Sequence, residues 1–313
     1  MKAKKRVLVT GGAGFIGSHL VELLVETHSV VVLDDLSSGD SSNLSGVKCR
    51  LINGSILDKE LLRDAVDSCD LVFHLAGMTS VAKANAHPSD CVNENLMGLI
   101  SVLEASVRSG VSKIIFASSS AVYGSSEARA HSEVDRPLPE SVYGMSKLAG
   151  ENLLRSFQVA HGLLGTSLRL FNVYGPRQNP EGDYASVIPK FVKLAQNDQS
   201  LVIHGDGEQT RDFIHVADVA MAFHEAAKSE NCPPVMNVGT GTGCSVLQLA
   251  REIVGVTGSS SQLVYHDPRK GDVRDSLADT TLLNRFGMNP QVELKKRLEE
   301  MCRGGDSPAS SQS

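Results

Sequence analysis

Apolar and polar positions follow one repeating order through the first half of the chain. Residues 6–10 (RVLVT) are a compact β-branched run, residues 11–17 a glycine-rich turn, and residues 15–26 carry apolar side chains at helical spacing. A second apolar run at 30–33 completes a strand–turn–helix–strand unit. The alternation continues with strands expected at 48–52, 71–75, 113–118 and 165–170, and helices near 95–109 and from 143 to about 160. Strands separated by helices, several of them unbroken apolar runs, predict an α/β fold with a doubly wound parallel sheet covered on both faces. After Gly175–Pro176 the regularity falls, which predicts a smaller α/β lobe over 176–302. Residues 213–240 are expected to return to the sheet of the first unit, residues 1–175. The polar tail 303–313 is expected to be disordered.

Composition narrows the functional classes. The 313 residues carry 30 Lys and Arg against 36 Asp and Glu, a net charge of -6, and the only basic cluster is Lys2, Lys4, Lys5 and Arg6. No nucleic-acid partner is expected from that balance. Apolar runs stay short of the ~18 residues that a membrane span needs, so a soluble cytoplasmic protein without a membrane partner is expected. The six cysteines are scattered with no CxxC pair. Neither a disulfide framework nor a metal site is expected from that spacing.

Gly11, Gly14 and Gly17 in GGAGFIG follow a predicted strand and open a predicted helix. Loop amides and a helix N-terminus there can meet a pyrophosphate, and the missing side chains let the backbone approach it. Glycines in such a turn also serve tight packing alone. Asp34 adds the second feature: at the end of the next strand, a carboxylate can accept both hydroxyls of an adenosine ribose. It would repel a 2′-phosphate, so NAD is expected rather than NADP. Tyr143 and Lys147 in YGMSK lie four apart, on one face of a helix. A phenol with a pKa of about 10 is a poor base at neutral pH, and an ammonium beside it favours the phenolate. Such a pair could take a proton from a hydroxyl while hydride leaves the same carbon. Ser118, Ser119 and Ser120 close a predicted strand, where ligand crevices of open α/β sheets lie.

The ordered set GGAGFIG, Asp34, HLAG (74–77), SSSAVYG (118–124), YGMSK and LRLFNVYGPRQ (168–178) resembles the extended short-chain dehydrogenase/reductases, most closely the UDP-glucose 4-epimerases, over about residues 6–300. The resemblance implies a Rossmann-type fold and retained NAD. It puts the catalytic hydroxyl on Ser119, with Ser120 as the alternative. Tyr143 becomes the base, and Lys147 tunes it and binds the nicotinamide ribose. Cofactor contacts are implied for Gly11, Gly14, Phe15, Ile16, Gly17, Asp34, Leu75, Ala76, Gly77 and Asn95. The family usually has Asp-Ile where this chain has Ser55–Ile56, so the contact with the adenine amino group falls to a serine. His74 is read as a packing residue at a strand end.

On the substrate side the resemblance assigns Asn172 to the diphosphate and Arg211 and Arg269 to its clamp. Arginine suits this because its planar donors match phosphate oxygens and its charge persists on burial. Asp272 falls near the uridine ribose. Ser276 falls at a gate beside the sugar, where a bulky aromatic confines related epimerases to unsubstituted hexoses. The implied substrates are UDP-glucose and UDP-galactose, and with a small gate also their N-acetylated counterparts, which would place the protein in galactose metabolism. Dehydratases of the family carry an Asp-Glu pair after the catalytic hydroxyl and decarboxylases a glutamate, where this chain has Ser120–Ala121. Glucuronate epimerases typically have threonine and arginine where Asn172 and Asn179 stand. A dinucleotide-sensing protein would have lost the Tyr143–Lys147 pair. Helices near 95–109 and 143–160 match those that pair subunits into a homodimer.

Overall fold

Branched and aliphatic residues at successive positions make strands that are buried on both faces. The computed structural model describes residues 4–125, 130–181, 186–229, 231–268, 273–290 and 293–303. Its strands are β1 (Arg6–Thr10), β2 (Ser29–Asp34), β3 (Arg50–Asn53), β4 (Leu71–His74), β5 (Lys113–Ser119), β6 (Leu164–Leu170), β7 (Asn172–Tyr174), β8 (Leu201–His204), β9 (Thr210–His215), β10 (Val235–Val238), β11 (Gly243–Ser245), β12 (Leu263–His266) and β13 (Asp275–Ser276). The helices are α1 (Phe15–Val25), α2 (Lys59–Val66), α3 (Val81–Ala86), α4 (Pro88–Val92), α5 (Gly98–Arg108), α6 (Val142–His161), α7 (Val187–Gln196), α8 (Val216–Lys228), α9 (Val246–Thr257), α10 (Thr281–Arg285) and α11 (Leu294–Arg303).

Seven parallel strands form the central sheet in the order β10-β6-β5-β4-β1-β2-β3. The chain winds outward from β1 to β3, then restarts at β4 on the other side of β1. That reversal leaves a crevice at the C-terminal ends of β1 and β4, the place where open α/β sheets bind ligands. Val7, Val9, Val30 and Val32 pack towards α1 and α8, whereas Leu8, Val31 and Leu33 pack towards α2, α5 and α6. Burial on both faces is why these strands read as unbroken apolar runs. Each such side chain contributes about 2 kcal/mol relative to its exposure in water.

Several elements differ from the sequence-based expectation. Helices α2, α3 and α4 were not anticipated; Asp58 caps α2 by accepting from the Glu60 and Leu61 amides. Instead of one helix over 95–109, Asn93–Met97 winds as a π turn and α5 starts at Gly98. Of the segment expected to return to the sheet, α8 and β10 do so, but β9 joins a smaller sheet with β7, β11 and β13. The reason lies in its alternating side chains: Ile214 enters the core under the central sheet, while Phe213 enters a second core formed with α7, α9 and α11. β9 therefore bridges two cores and belongs to the sheet between them. Arg303, expected in the disordered tail, ends α11 instead, because the helix continues through it; Arg269, Asp272 and residues 304–313 lie outside the described residues. Among the described residues, no helix is long and apolar enough to cross a membrane.

Candidate active site

The turn after β1 is a close-packed cradle. Gly11 has φ +72° and donates its amide to Leu33 O at 2.9 Å; Gly14 donates to Gly11 O at 3.2 Å. A Cβ on Gly17 would stand 2.1 Å from Gly11 O, and one on Gly11 would stand 2.7 Å from Ala76 N. The loops after β1 and β4 thus meet backbone to backbone at the crevice. Gly14 caps α1 without a side-chain hydrogen bond, and the first turn carries no acidic residue. The helix therefore presents uncapped amides and a positive dipole end, beginning at Phe15, Ile16 and Gly17.

Asp34 ends β2 with 7% of its surface exposed. Its carboxylate accepts from the Ala13 amide and the Leu36 amide, both at 2.9 Å. The same group that faces the crevice also braces the glycine turn, and an ionised carboxylate keeps acceptor sites beyond these two bonds. The cradle and this carboxylate together fit a dinucleotide. Ser55 Oγ accepts from Leu57 N at 3.2 Å, and Ile56 fills the space beside Gly98, where a Cβ would meet its Cδ1 at 2.4 Å. Leu75 and Ala76 bond back to Thr10, and Gly77 has φ +141° with a would-be Cβ 2.6 Å from Asn95 Oδ1. Asn95 is buried: it accepts from Met78 N at 2.7 Å and donates to Met78 O at 3.1 Å and Ser146 Oγ at 2.9 Å. It therefore ties the loop after β4 to α6.

Ser141 caps α6 by accepting from Gly144 N at 3.0 Å, and the first two turns carry Tyr143 and Lys147 into the interior. Gly144 allows this approach, since a Cβ there would stand 2.4 Å from Ala121 O. The Ser119 hydroxyl lies near enough to the Tyr143 phenol to favour its ionised form, and it accepts from the Ala121 amide at 3.2 Å. Ser118 points elsewhere, to Glu151 Oε1 at 2.5 Å. Successive residues of a strand face opposite ways, so one serine reaches the phenol and its neighbour does not. Lys147 Nζ donates to Ala117 O at 2.9 Å and lies 5.7 Å from the Tyr143 ring centre and 5.1 Å from that of Phe116.

The electrostatics correct one expectation. Burial pushes the Tyr143 phenol above its ordinary range, and the neighbouring Ser119 hydroxyl offsets only part of this. Burial also lowers Lys147 to about 8. The ammonium was expected to bring the phenol down, but desolvation dominates at both groups, raising the phenol and lowering the ammonium.

His74 lies under this pair, stacked on Phe116 with ring centres 5.7 Å apart and its Nδ1 2.8 Å from Thr10 Oγ1. Burial lowers it to about 3, aided by the Lys147 charge. Between pH 6.5 and about 3 the unfolded chain binds a proton that native His74 refuses. Stability is therefore lost as pH falls through that window, by at most about 1.4 kcal/mol per pH unit from this group. His74→Asn keeps an acceptor for Thr10 and removes the titration. Its melting temperature should depend less on pH between 6.5 and 4 than that of the parent; equal slopes would remove His74 as a source.

On the far side of the crevice, β13 pairs with β9 so that Ser276 is the register partner of Arg211. Arg211 donates to Thr210 O at 2.8 Å and Arg274 O at 3.4 Å. Asn172 begins β7 and donates to Asp212 O at 3.3 Å. The structure thus brings Asn172, Arg211 and Ser276 onto one small sheet. Arg274 pairs with Asp206 at the surface. Sequence reasoning missed one set of residues beneath the site, Glu151, Arg169, Tyr123 and Asn237, which form a buried polar chain. The available signal was a glutamate four residues after Lys147 on α6 and an arginine inside the apolar strand LGTSLRL.

Residues 7–239 match the NAD dependent epimerase/dehydratase family. The chain is 38% identical to a UDP-glucose 4-epimerase of Mycolicibacterium smegmatis, over 92% of this chain and 95% of that protein. It is similar to the structure of a UDP-N-acetylglucosamine 4-epimerase from Methanobrevibacter ruminantium in complex with UDP-N-acetylmuramic acid (TM-score 0.92, 37% identity, covering 96% and 98% of the two chains). A UDP-glucose 4-epimerase from Thermotoga maritima with UDP-glucose superposes with TM-score 0.91 at 39% identity, covering 95% and 97%. A UDP-N-acetyl-alpha-D-glucosaminuronate decarboxylase of Bacillus cytotoxicus is 36% identical over 84% of this chain. With a Rossmann-type sheet, a glycine-rich turn at its switch point and this match, the chain belongs to the NAD-dependent epimerases and dehydratases of the extended short-chain dehydrogenase/reductase family.

Proposed function

We propose that the protein is a UDP-sugar 4-epimerase that interconverts UDP-glucose and UDP-galactose and also accepts their N-acetylated forms. The observation that carries this reading is the placement of Tyr143 and Lys147 together in the interior at the start of α6, with Lys147 Nζ 5.7 Å from the Tyr143 ring centre and Ser119 at the end of β5. Residues 1–175, with about 213–240, would hold NAD, and residues 176–302 the UDP-sugar.

In this reading Gly11, Gly14 and Gly17 and the first amides of α1 receive the pyrophosphate, and Asp34 receives the adenosine ribose. NAD, when bound, supplies the hydride acceptor and donor. Tyr143 accepts the 4′-hydroxyl proton, and Ser119 holds the reacting oxygen and stabilises the charge on it. Lys147 holds the phenol's surroundings cationic once its ammonium is formed. Arg211, Arg269 and Asn172 anchor the diphosphate while the 4-keto sugar turns its other face, after which Tyr143 returns the proton and C4′ is inverted. Ala121, which follows Ser119–Ser120, offers no carboxyl group for elimination at C6 or decarboxylation. That supports epimerisation over the other reactions named among the relatives. Met97 before α5 and Met145 and Val159 on α6 leave apolar surface exposed, which supports a homodimer through these helices; a monomeric mass in solution would oppose it.

The test is a coupled assay of purified protein with UDP-galactose and with UDP-N-acetylglucosamine, first without and then with added NAD, followed by NMR of the product at C4′. Inversion of either sugar supports the reading. If neither is inverted with NAD present, it falls, and UDP-glucuronate is the next substrate to try. Ser276 decides between the sugars: Ser276→Tyr is expected to lower the rate on UDP-N-acetylglucosamine relative to UDP-galactose by about tenfold or more, since a ring there excludes the N-acetyl group. An unchanged ratio would remove Ser276 from the gate.

A further inference from the structure

Glu151 and Arg169 form an ion pair inside the protein, with side-chain exposures of 5% and 4%. Arg169 donates from Nε to Glu151 Oε1 at 2.9 Å and from Nη2 to Oε2 at 2.7 Å. Glu151 Oε1 also accepts from Ser118 Oγ. The remaining guanidinium nitrogen donates to the Tyr123 hydroxyl at 2.9 Å, and that hydroxyl donates to Asn237 Oδ1 at 2.6 Å. Asn237 Nδ2 donates to His131 O at 2.9 Å, and the His131 ring stacks on Tyr123 with centres 4.5 Å apart. His131 in turn bonds Leu277 O and the Asp279 amide, both at 2.8 Å, just beyond Ser276.

A buried pair of this kind is a weak source of stability, because desolvation opposes the attraction, and apolar residues of equal volume can serve as well. What a bidentate pair adds is fixed direction and distance. Its ends are placed where that matters. Ser118 is the strand neighbour of Ser119, and Glu151 lies one helical turn after Lys147 and two after Tyr143. We propose that the Glu151–Arg169 pair is a positioning device: it sets the separation of the strand end carrying Ser119 from the helix carrying Tyr143 and Lys147, and through Tyr123 and Asn237 it sets the segment beside Ser276. The kinetic part of this proposal rests on the epimerase reading above.

Two mild variants each cut one arm and leave the pair in place. Ser118→Ala removes the link to the strand end, and Tyr123→Phe removes the link to Asn237. Each is made in the full-length protein, and its melting temperature, kcat and KM are measured with the UDP-sugar that the parent inverts. Ser118→Ala is expected to lower kcat about tenfold with KM within about twofold, since small misplacements of reacting groups are costly. Tyr123→Phe is expected to raise KM about fivefold with a smaller effect on kcat, because it loosens the sugar side. In the double variant the change in kcat/KM should depart from the product of the single changes by about threefold or more, as for residues in one network.

A readout free of turnover is the titration of Tyr143, followed by NMR of ring-labelled tyrosine. Ser118→Ala should raise its midpoint by roughly half a pH unit as the Ser119 hydroxyl shifts away from the phenol. Variants that melt with the parent and keep kcat, KM and the Tyr143 titration would overturn the proposal. So would variants that only melt earlier, since the pair would then serve stability alone. If the parent inverts no UDP-sugar, the epimerase reading fails by itself, and the Tyr143 titration alone decides whether the pair positions the site.

Discussion

Tyr143→Phe is expected to reduce turnover of the UDP-sugar by about a thousandfold, the scale of a lost general acid–base group. Folding and NAD binding should survive. The Tyr143 ring packs with Met78, Ala84 and Cys91, contacts that phenylalanine keeps. The neighbouring groups are poor substitutes: Ser119 is not basic at neutral pH, and Lys147 is committed to Ala117 O. Since burial holds the phenol high, the rate in the parent should rise with pH as the phenol ionises, up to the point where Lys147 loses its ammonium near 8. That alkaline rise should be absent from whatever activity Tyr143→Phe retains. Steady-state rates against pH, together with NAD content after purification, check both statements. A Tyr143→Phe protein within tenfold of the parent would remove the assigned base.

Gly17→Ala is expected to abolish NAD retention and lower the melting temperature together. The added Cβ would stand 2.1 Å from Gly11 O and 2.8 Å from Gly12 Cα, both backbone atoms. Relief requires the turn to open, which strains the Gly14–Gly11 and Gly11–Leu33 bonds and the Asp34 brace on Ala13. The overpacking costs about 1–3 kcal/mol. On the reading proposed above, the opened turn also loses the amides that would receive the pyrophosphate, so affinity for NAD should fall by about a hundredfold or more. Gly255→Ala is the matched control: nothing lies within 4 Å of its Cβ and it sits inside α9, so it should be neutral or stabilising by up to about 1 kcal/mol. Calorimetric NAD binding and thermal melts of the two variants separate the effects. A Gly17→Ala protein that binds NAD as the parent does would show that the cradle has room.

Most of the architecture follows from short-range pattern. Strands β1, β2, β4, β5 and β6 and helices α1 and α6 begin and end within about two residues of where apolar spacing places them, because β-branched runs and 3.6-residue stripes are local properties. The cradle was legible for the same reason. Three glycines between a strand and a helix serve either close packing or a phosphate, and the positive φ at Gly11 is a local demand that glycine meets without strain. Asp34 then marks the strand beside it. YGMSK was legible through its helical spacing, and the serine run through its place at a strand end.

Contacts distant in sequence account for the rest. Which of Ser118, Ser119 and Ser120 reaches the phenol depends on how β5 faces α6, and only the assembled sheet and helix set that. The split of β9 between two cores arises because Phe213 and Ile214 find different partners, neither of them near in the chain. The π turn at Asn93–Met97 follows a side chain that bonds Met78 and Ser146, so no periodicity announces it. Glu151 and Arg169 are 18 residues apart and read singly as ordinary charges. The titration of Tyr143 and Lys147 is the clearest case. Their spacing correctly places them together, but the direction of each shift follows from desolvation, which depends on everything packed around them. Local spacing thus determines which elements form and which residues share a face, whereas burial and long-range pairing determine what those residues do once there.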